Sequence, residues 1–134
     1  MNKDASDALY KNIILFTNQI CLTIKAMTGL TFKTDGRVIP ERPLVCSNSL
    51  LAIENFAGPV QGAYILSLDI KVAEKLAETI FGYEKEDVSK EENMYSGHGS
   101  DVVKEILNTA GLQSLANLES EYGGLTAVPP MLIR

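Results

Sequence analysis

Asp101, Glu105 and Asn108 stand at positions i, i+4 and i+7 of a stretch with helical patterning. At about 100° per residue they fall within about 60° of one another, so they form one row. Two carboxylates and a carboxamide on one row can do two things. A carboxylate attracts a cation. A carboxamide donates and accepts hydrogen bonds at once, which suits it to placing a water molecule. Val103, Ile106, Leu107 and Ala110 cluster on the opposite side of the same helix. Leu112 continues the polar row one turn on and offers an apolar docking contact. The same pattern also describes an ordinary solvated face, and Asp101 near a helix N-terminus is favoured by the helix dipole. Asn108 is the residue that stability does not explain. Asparagine in a helix interior competes with the backbone for hydrogen bonds.

Other chemistry-bearing residues carry weaker signals. His98 is the one histidine and lies between Gly97 and Gly99. It reads as a solvent-exposed side chain in a loop. The Gly97-His98-Gly99-Ser100 stretch resembles an anion site at a helix start only superficially, because no Lys or Arg stands beside it. Cys21 and Cys46 have no metal or redox spacing and read as reduced thiols of a cytosolic protein. Tyr64, Tyr83, Tyr95 and Tyr122 read as packing or surface aromatics.

The elements that must position the row follow from periodicity and punctuation. Asp4 to Thr28 predicts a helix stopped by Gly29, with apolar residues at three- and four-residue steps. Ile13-Ile14-Leu15-Phe16 is apolar on more than one side and implies deep burial. Asp35-Gly36 marks a turn, and Pro40 and Pro43 bound a short loop. Leu44 to Phe56 holds a strand-compatible run, Leu50 to Ile53. Gly58-Pro59 then turns the chain into a second strand, Val60 to Leu68. Asp69 can cap a helix over Ile70 to Phe81, ended by Gly82, whose apolar face carries Val72, Leu76 and Ile80. Tyr83 to Gly99 is acidic and reads as a solvated loop. Ser100 can cap the third helix, which runs to about Ser120 and ends at Gly123-Gly124. Leu125 to Val128 and Met131 to Ile133 read as strand pieces around Pro129-Pro130. The expected core includes Ile13, Phe16, Ile20, Ile65, Val72, Leu76, Ile80, Val103, Ile106, Leu107 and Ala110.

This order gives an α+β fold, a mainly antiparallel sheet packed against long helices. The chain has 134 residues, 46% of them hydrophobic. That is enough for one domain, residues 1–134, that buries about two thirds of its unfolded surface. Twelve basic against 17 acidic residues give a net charge of −5. An acidic balance argues against nucleic acid and against an anionic membrane surface. No apolar run approaches the roughly 18 residues of a spanning helix. Met1 to Tyr10 lacks the pattern of a signal peptide, so a cytoplasmic protein is expected.

The ordered set Ser100/Asp101, Glu105, Asn108 and then Pro129-Pro130 resembles the signature of the CheC/CheX/FliY chemotaxis phosphatases, most like the CheX branch. Gly58 to Leu68 is similar to that family's glycine-punctuated hairpin, and Ala73 to Gly82 to the helix after it. The resemblance covers about Asn55 to Pro130. CheC-like members usually carry a second Glu-x2-Asn on the first helix. That helix here has none, which suits the CheX branch.

The resemblance implies a phosphatase acting on the aspartyl phosphate of a CheY-type response regulator. Asn108 would orient the attacking water, and Glu105 would pair with a lysine on the partner. Asp101 would support docking. No cofactor or metal of its own is implied, and Mg is expected on the phosphorylated partner. The alternative is a non-catalytic module that binds a receiver domain or a flagellar or signalling partner. A third possibility is an oligomeric structural domain related to the flagellar switch proteins. Family domains continue past the Pro-Pro segment with further strands, whereas this chain ends at Arg134. Either the expected sheet lacks the last strands, short by a hairpin, or the sequence omits a tail; a short sheet has an exposed or borrowed edge, which predicts a homodimer.

Overall fold

The computed structural model describes residues 3–34, 49–81 and 98–133. Helix α1 spans Lys3–Thr28, β1 Ser49–Ala57, β2 Gly62–Asp69, α2 Ile70–Phe81 and α3 His98–Tyr122. Two short strands close the chain, β3 Thr126–Ala127 and β4 Met131–Leu132. The fold is α+β, as the patterning implies. The Asp35-Gly36 turn, Pro40, Pro43, Cys46, Gly82 and the acidic stretch from Tyr83 to Gly97 lie outside the described residues.

The helix ends behave as their residues dictate. Gly29 adopts φ 77°, and its N–H donates to Lys25 O at 2.8 Å. Asp69 caps α2, its Oδ1 accepting the Lys71 N–H at 2.8 Å. Gly123 and Gly124 take φ 70° and 61° after α3, with Gly123 N–H donating to Glu119 O at 2.7 Å. Helix α3 differs at its start. It begins at His98, so Ser100 lies inside it and is fully buried. Ser100 falls on the same face as Val103 and Leu107, and its small side chain lets that buried stripe reach back past it. His98 accordingly opens the helix and is not part of a loop.

Strand β1 is the middle of the sheet. It pairs antiparallel with β2 from Ser49↔Asp69 to Phe56↔Gly62. On its other side it pairs with β3 (Phe56↔Ala127) and β4 (Ala52↔Leu132), both antiparallel. Pro129-Pro130 has no N–H to give to the ladder, so the last strand is split in two. Val128 N–H and Ile133 N–H still reach β1, donating to Asn55 O and Leu51 O at 2.9 Å each.

Alternation fixes the two faces of the sheet. Leu50, Ala52, Glu54 and Phe56 of β1 point inward, with Tyr64, Leu66 and Leu68 of β2. Against them pack Leu76 and Ala73 of α2, Ile24 of α1, and Val103, Ile106 and Leu107 of α3. Ile65 lies on the other face and is 40% exposed, contrary to the sequence expectation. Ile13 is also exposed, at 46%, because α1 turns Asn12, Thr23 and Ile24 to the core instead. Its apolar run wraps all round the helix, so composition alone could not choose the buried side. Phe16, Ile20, Val72 and Ile80 are half-buried and pack against the core. Leu76, Val103, Ile106, Leu107 and Ala110 are buried as expected.

Candidate functional site

Helix α3 is anchored by its apolar face, and that anchoring decides where the polar row points. Val102, Val103, Ile106, Leu107 and Ala110 are each at most 2% exposed. Asp101 and Glu105 are consequently exposed, and Asn108 is half-buried. Leu112 is 46% exposed at the end of the same row. The four residues expected to form one surface therefore do share a solvent-facing side of α3.

The row has local support. Lys104 Nζ lies 3.9 Å from Asp101 Oδ1, a loose and exposed pair of little energetic weight. Thr109 Oγ1 donates to Glu105 Oε1 at 3.4 Å, which steadies the carboxylate toward the α1 side. There Glu105, Thr109 and Gln113 of α3 face Gln19, Leu22 and Met27 of α1 across an open groove of about 300 Å³. Among the described residues Glu105 is the one ionisable side chain in the groove lining. A cationic side chain entering the groove would find a carboxylate at its rim and apolar walls for its stem.

Beneath the row lies a buried polar joint that the sequence reading missed. Tyr64 O–H donates to Asn12 Oδ1 at 2.6 Å. Asn12 Nδ2 donates to Ser114 O at 2.8 Å, with Asn117 Oδ1 at 3.4 Å. One asparagine thus ties α1 to the sheet and to α3. The Tyr64 ring stacks on Phe16, with centroids 4.7 Å apart, and tilts against Phe56 at 5.3 Å. The Tyr64 hydroxyl is pushed up to about 12 by burial, against the lowering effect of the Asn12 bond, and the charge of Glu54 raises it further.

Glu54 is the second missed residue. It is 1% exposed, opposite Tyr64 on β1, and neither carboxyl oxygen has a hydrogen-bond partner among the described residues. Burial pushes its carboxyl from 4.5 to about 7. The signal was present in the sequence as parity. Glu54 shares the inward phase of Leu50, Ala52 and Phe56, an acid in an apolar row. Among the described residues no group of three or more His, Cys, Asp or Glu is arranged to hold a metal ion. Among them, too, no helix is long and apolar enough to cross a membrane.

Solved structures share this architecture. A CheC-like superfamily protein from Shewanella sp. PV-4 superposes with a TM-score of 0.73 at 17% identity, over 99% of this chain and 77% of that one. Chemotaxis protein CheX from Vibrio vulnificus gives 0.71 at 17% identity, over 92% and 77%. The fold is that of CheX. The CheX-like architecture recurs in the CheX–CheY–BeF3–Mg2+ complex from Borrelia burgdorferi, at 0.65 and 20% identity over 90% and 75% of the two chains. No protein-family model matches the chain, and no curated protein matches it in sequence. The likeness is therefore one of backbone arrangement.

Proposed function

We propose that this protein accelerates hydrolysis of the aspartyl phosphate on a CheY-type receiver domain, in chemotaxis or a related two-component pathway. The observation that carries the reading is the solvent-facing Asp101, Glu105 and Asn108 row on the long helix of a CheX fold. A solved CheX bound to CheY supports the choice of partner.

Phosphoryl transfer to water asks for in-line placement and charge stabilisation. The receiver supplies the Mg ion and the cationic groups. The phosphatase then needs to place one water molecule, and the Asn108 carboxamide can accept from it and donate at the same time. A carboxylate at that position would repel the phosphoryl oxygens. Glu105, at the rim of the α1–α3 groove, pairs with a lysine of the receiver and seats the helix. Asp101 and Leu112 extend the contact on either side. Positioning of this kind can lower a barrier by several kcal/mol.

The protein works in this reading as a cytoplasmic homodimer. An apolar row, Ile65–Ile53–Met131, crosses the outer face of the sheet, and Ile65 and Met131 are 40% and 53% exposed. The outer edge of β2 has no partner strand among the described residues. Both features favour a second copy as cover.

The deciding experiment follows decay of phosphorylated receiver domains from the source genome, with and without the protein. Metal-dependent acceleration that Asn108→Ala abolishes supports the reading. Binding without acceleration would make the protein a receiver-binding module instead. Full activity in Asn108→Ala would remove the helix from the mechanism.

A further inference from the structure

Gly111 of α3 is buried against the sheet, and a Cβ there would overlap Glu54 Oε1. The carboxyl of Glu54 therefore fills a notch that only glycine leaves open. Gly111 lies three residues beyond Asn108, one helical turn away, so the notch supports the turn that carries the proposed water-placing group. We propose that Glu54 is a positioning residue: its protonated carboxyl seats α3 on the sheet at Gly111 and holds the Glu105–Asn108 row, and loss of that proton unseats the row. The activity consequence rests on the function proposed above. The seating itself does not.

The surroundings explain why the proton matters. From β2 the facing titratable group is Tyr64, which stays neutral. From α3 the facing residue is Gly111, with no side chain to offer. From α1, Asn12 and Phe16 pack around Tyr64 and carry no charge. On β1 the inward neighbours are Ala52 and Phe56, paired with Leu132 and Ala127 of the last strands. Among the described side chains of α2 the buried ones are Ala73, Leu76 and Ala77. None of these is a cation, and burial alone displaces the Glu54 equilibrium.

A neutral carboxyl is tolerable in such a site, whereas a carboxylate without a donor is not. The hydroxyl of Tyr64, the residue opposite on β2, is already committed to Asn12. An ionised Glu54 must either draw water between α3 and the sheet or pull Tyr64 off Asn12. The second choice undoes the joint through Ser114 that holds α1 to α3. Either way the support beneath Asn108 loosens.

Two measurements test this. In the first, carboxyl-carbon NMR of Glu-labelled protein follows Glu54, identified by its loss in Glu54→Gln, while amide shifts report on residues 106–115. The expected result is a Glu54 midpoint near pH 7 with α3 amides moving at the same midpoint in the parent and not in Glu54→Gln. Glu54→Met, apolar and of similar length, serves if Glu54→Gln does not fold. In the second, receiver dephosphorylation is followed across pH, with spontaneous loss subtracted. The parent turnover should fall about tenfold between about pH 6 and pH 8, as the protonated fraction of such a group does, while the variant stays flat. Asn108→Ala should lower turnover at every pH and leave the NMR titration untouched. If the parent proves inactive at all pH values, the function reading fails and the NMR measurement alone judges Glu54. Amides of α3 that ignore the Glu54 titration, or an identical pH profile in Glu54→Gln, would overturn the proposal.

Discussion

At the residue scale, three side chains on one helix are expected to divide the work. Asn108→Ala should lower receiver dephosphorylation by about 10²–10³, the usual cost of removing one positioned hydrogen-bonding group. The circular dichroism spectrum should not change, because Asn108 is only half-buried and forms no part of the core. Glu105→Lys should act on association, raising the apparent KM for receiver more than it lowers kcat, since it reverses the charge at the groove rim. Asp101→Ala should have the mildest effect, its carboxylate being exposed and loosely paired. Glu54 predicts a pH dependence of stability with a definite sign. Its carboxyl titrates at 4.5 in the ordinary exposed state and at about 7 in the fold. Between those values the folded form holds more protons than the unfolded form. Stability therefore falls as pH rises from 4.5 to 7, by at most ~1.4 kcal/mol per pH unit for one proton, and levels off above. Urea titrations of the parent against Glu54→Gln across that range isolate the contribution.

At the element scale, the seating of α3 is the controlling feature. Its buried stripe fixes rotation about the helix axis, and Gly111 fixes its distance from the sheet. Gly111→Ala gains helix propensity but forces a methyl onto the Glu54 carboxyl. The methyl meets the far end of a flexible side chain, which can shift, so the cost should stay near the low end of overpacking, about 1 kcal/mol in denaturant titration. Combining it with Glu54→Ala should return part of that loss, a coupling that two unrelated sites would not show. Helix α2 offers the plain packing comparison. Leu76 is fully buried, and Leu76→Ala should cost about 2–5 kcal/mol. Helix α1 is tied by Asn12, which serves Tyr64 and Ser114 together.

At the scale of the whole molecule, the open question is what covers the outer face of the sheet. Ile53, Ile65 and Met131 line up across three strands there, with no helix of the described residues laid over them. If a second copy covers them, the protein should elute as a dimer by light scattering. Ile65→Glu, on an exposed site, should then yield a folded monomer. A concentrated parent sample that remains monomeric would assign that face to other cover.

Much of this was legible before any coordinates. Gly29, Asp69 and Gly123-Gly124 end or start helices through local backbone chemistry, which needs no tertiary context. The α3 row was legible because one strongly apolar stripe leaves a single direction for Asp101, Glu105 and Asn108. Where the local signal was degenerate, tertiary packing decided. The Ile13 to Phe16 run is apolar all round, and the Tyr64–Asn12–Ser114 bonds, with Phe16 stacked on Tyr64 and Ile24 in the core, select the buried side of α1. Ile65 faces outward because the pairing register puts Tyr64, Leu66 and Leu68 inward, and a strand cannot bury both parities against one layer of helices. Ser100 resembled a cap, yet the buried face of α3 runs past it and carries the helix back to His98. Glu54 and Gly111 are 57 residues apart, and nothing local to either tells that a carboxyl on β1 meets a glycine on α3. The sequence by itself determined the elements, the ends at Gly29, Asp69 and Gly123-Gly124, and the polar row, because those rest on periodicities and punctuation of a few residues. Parity on β1 marks Glu54 as an inward acid, but its chemistry was decided by the tertiary structure, because it depends on which distant groups surround it and on their lack of a free donor.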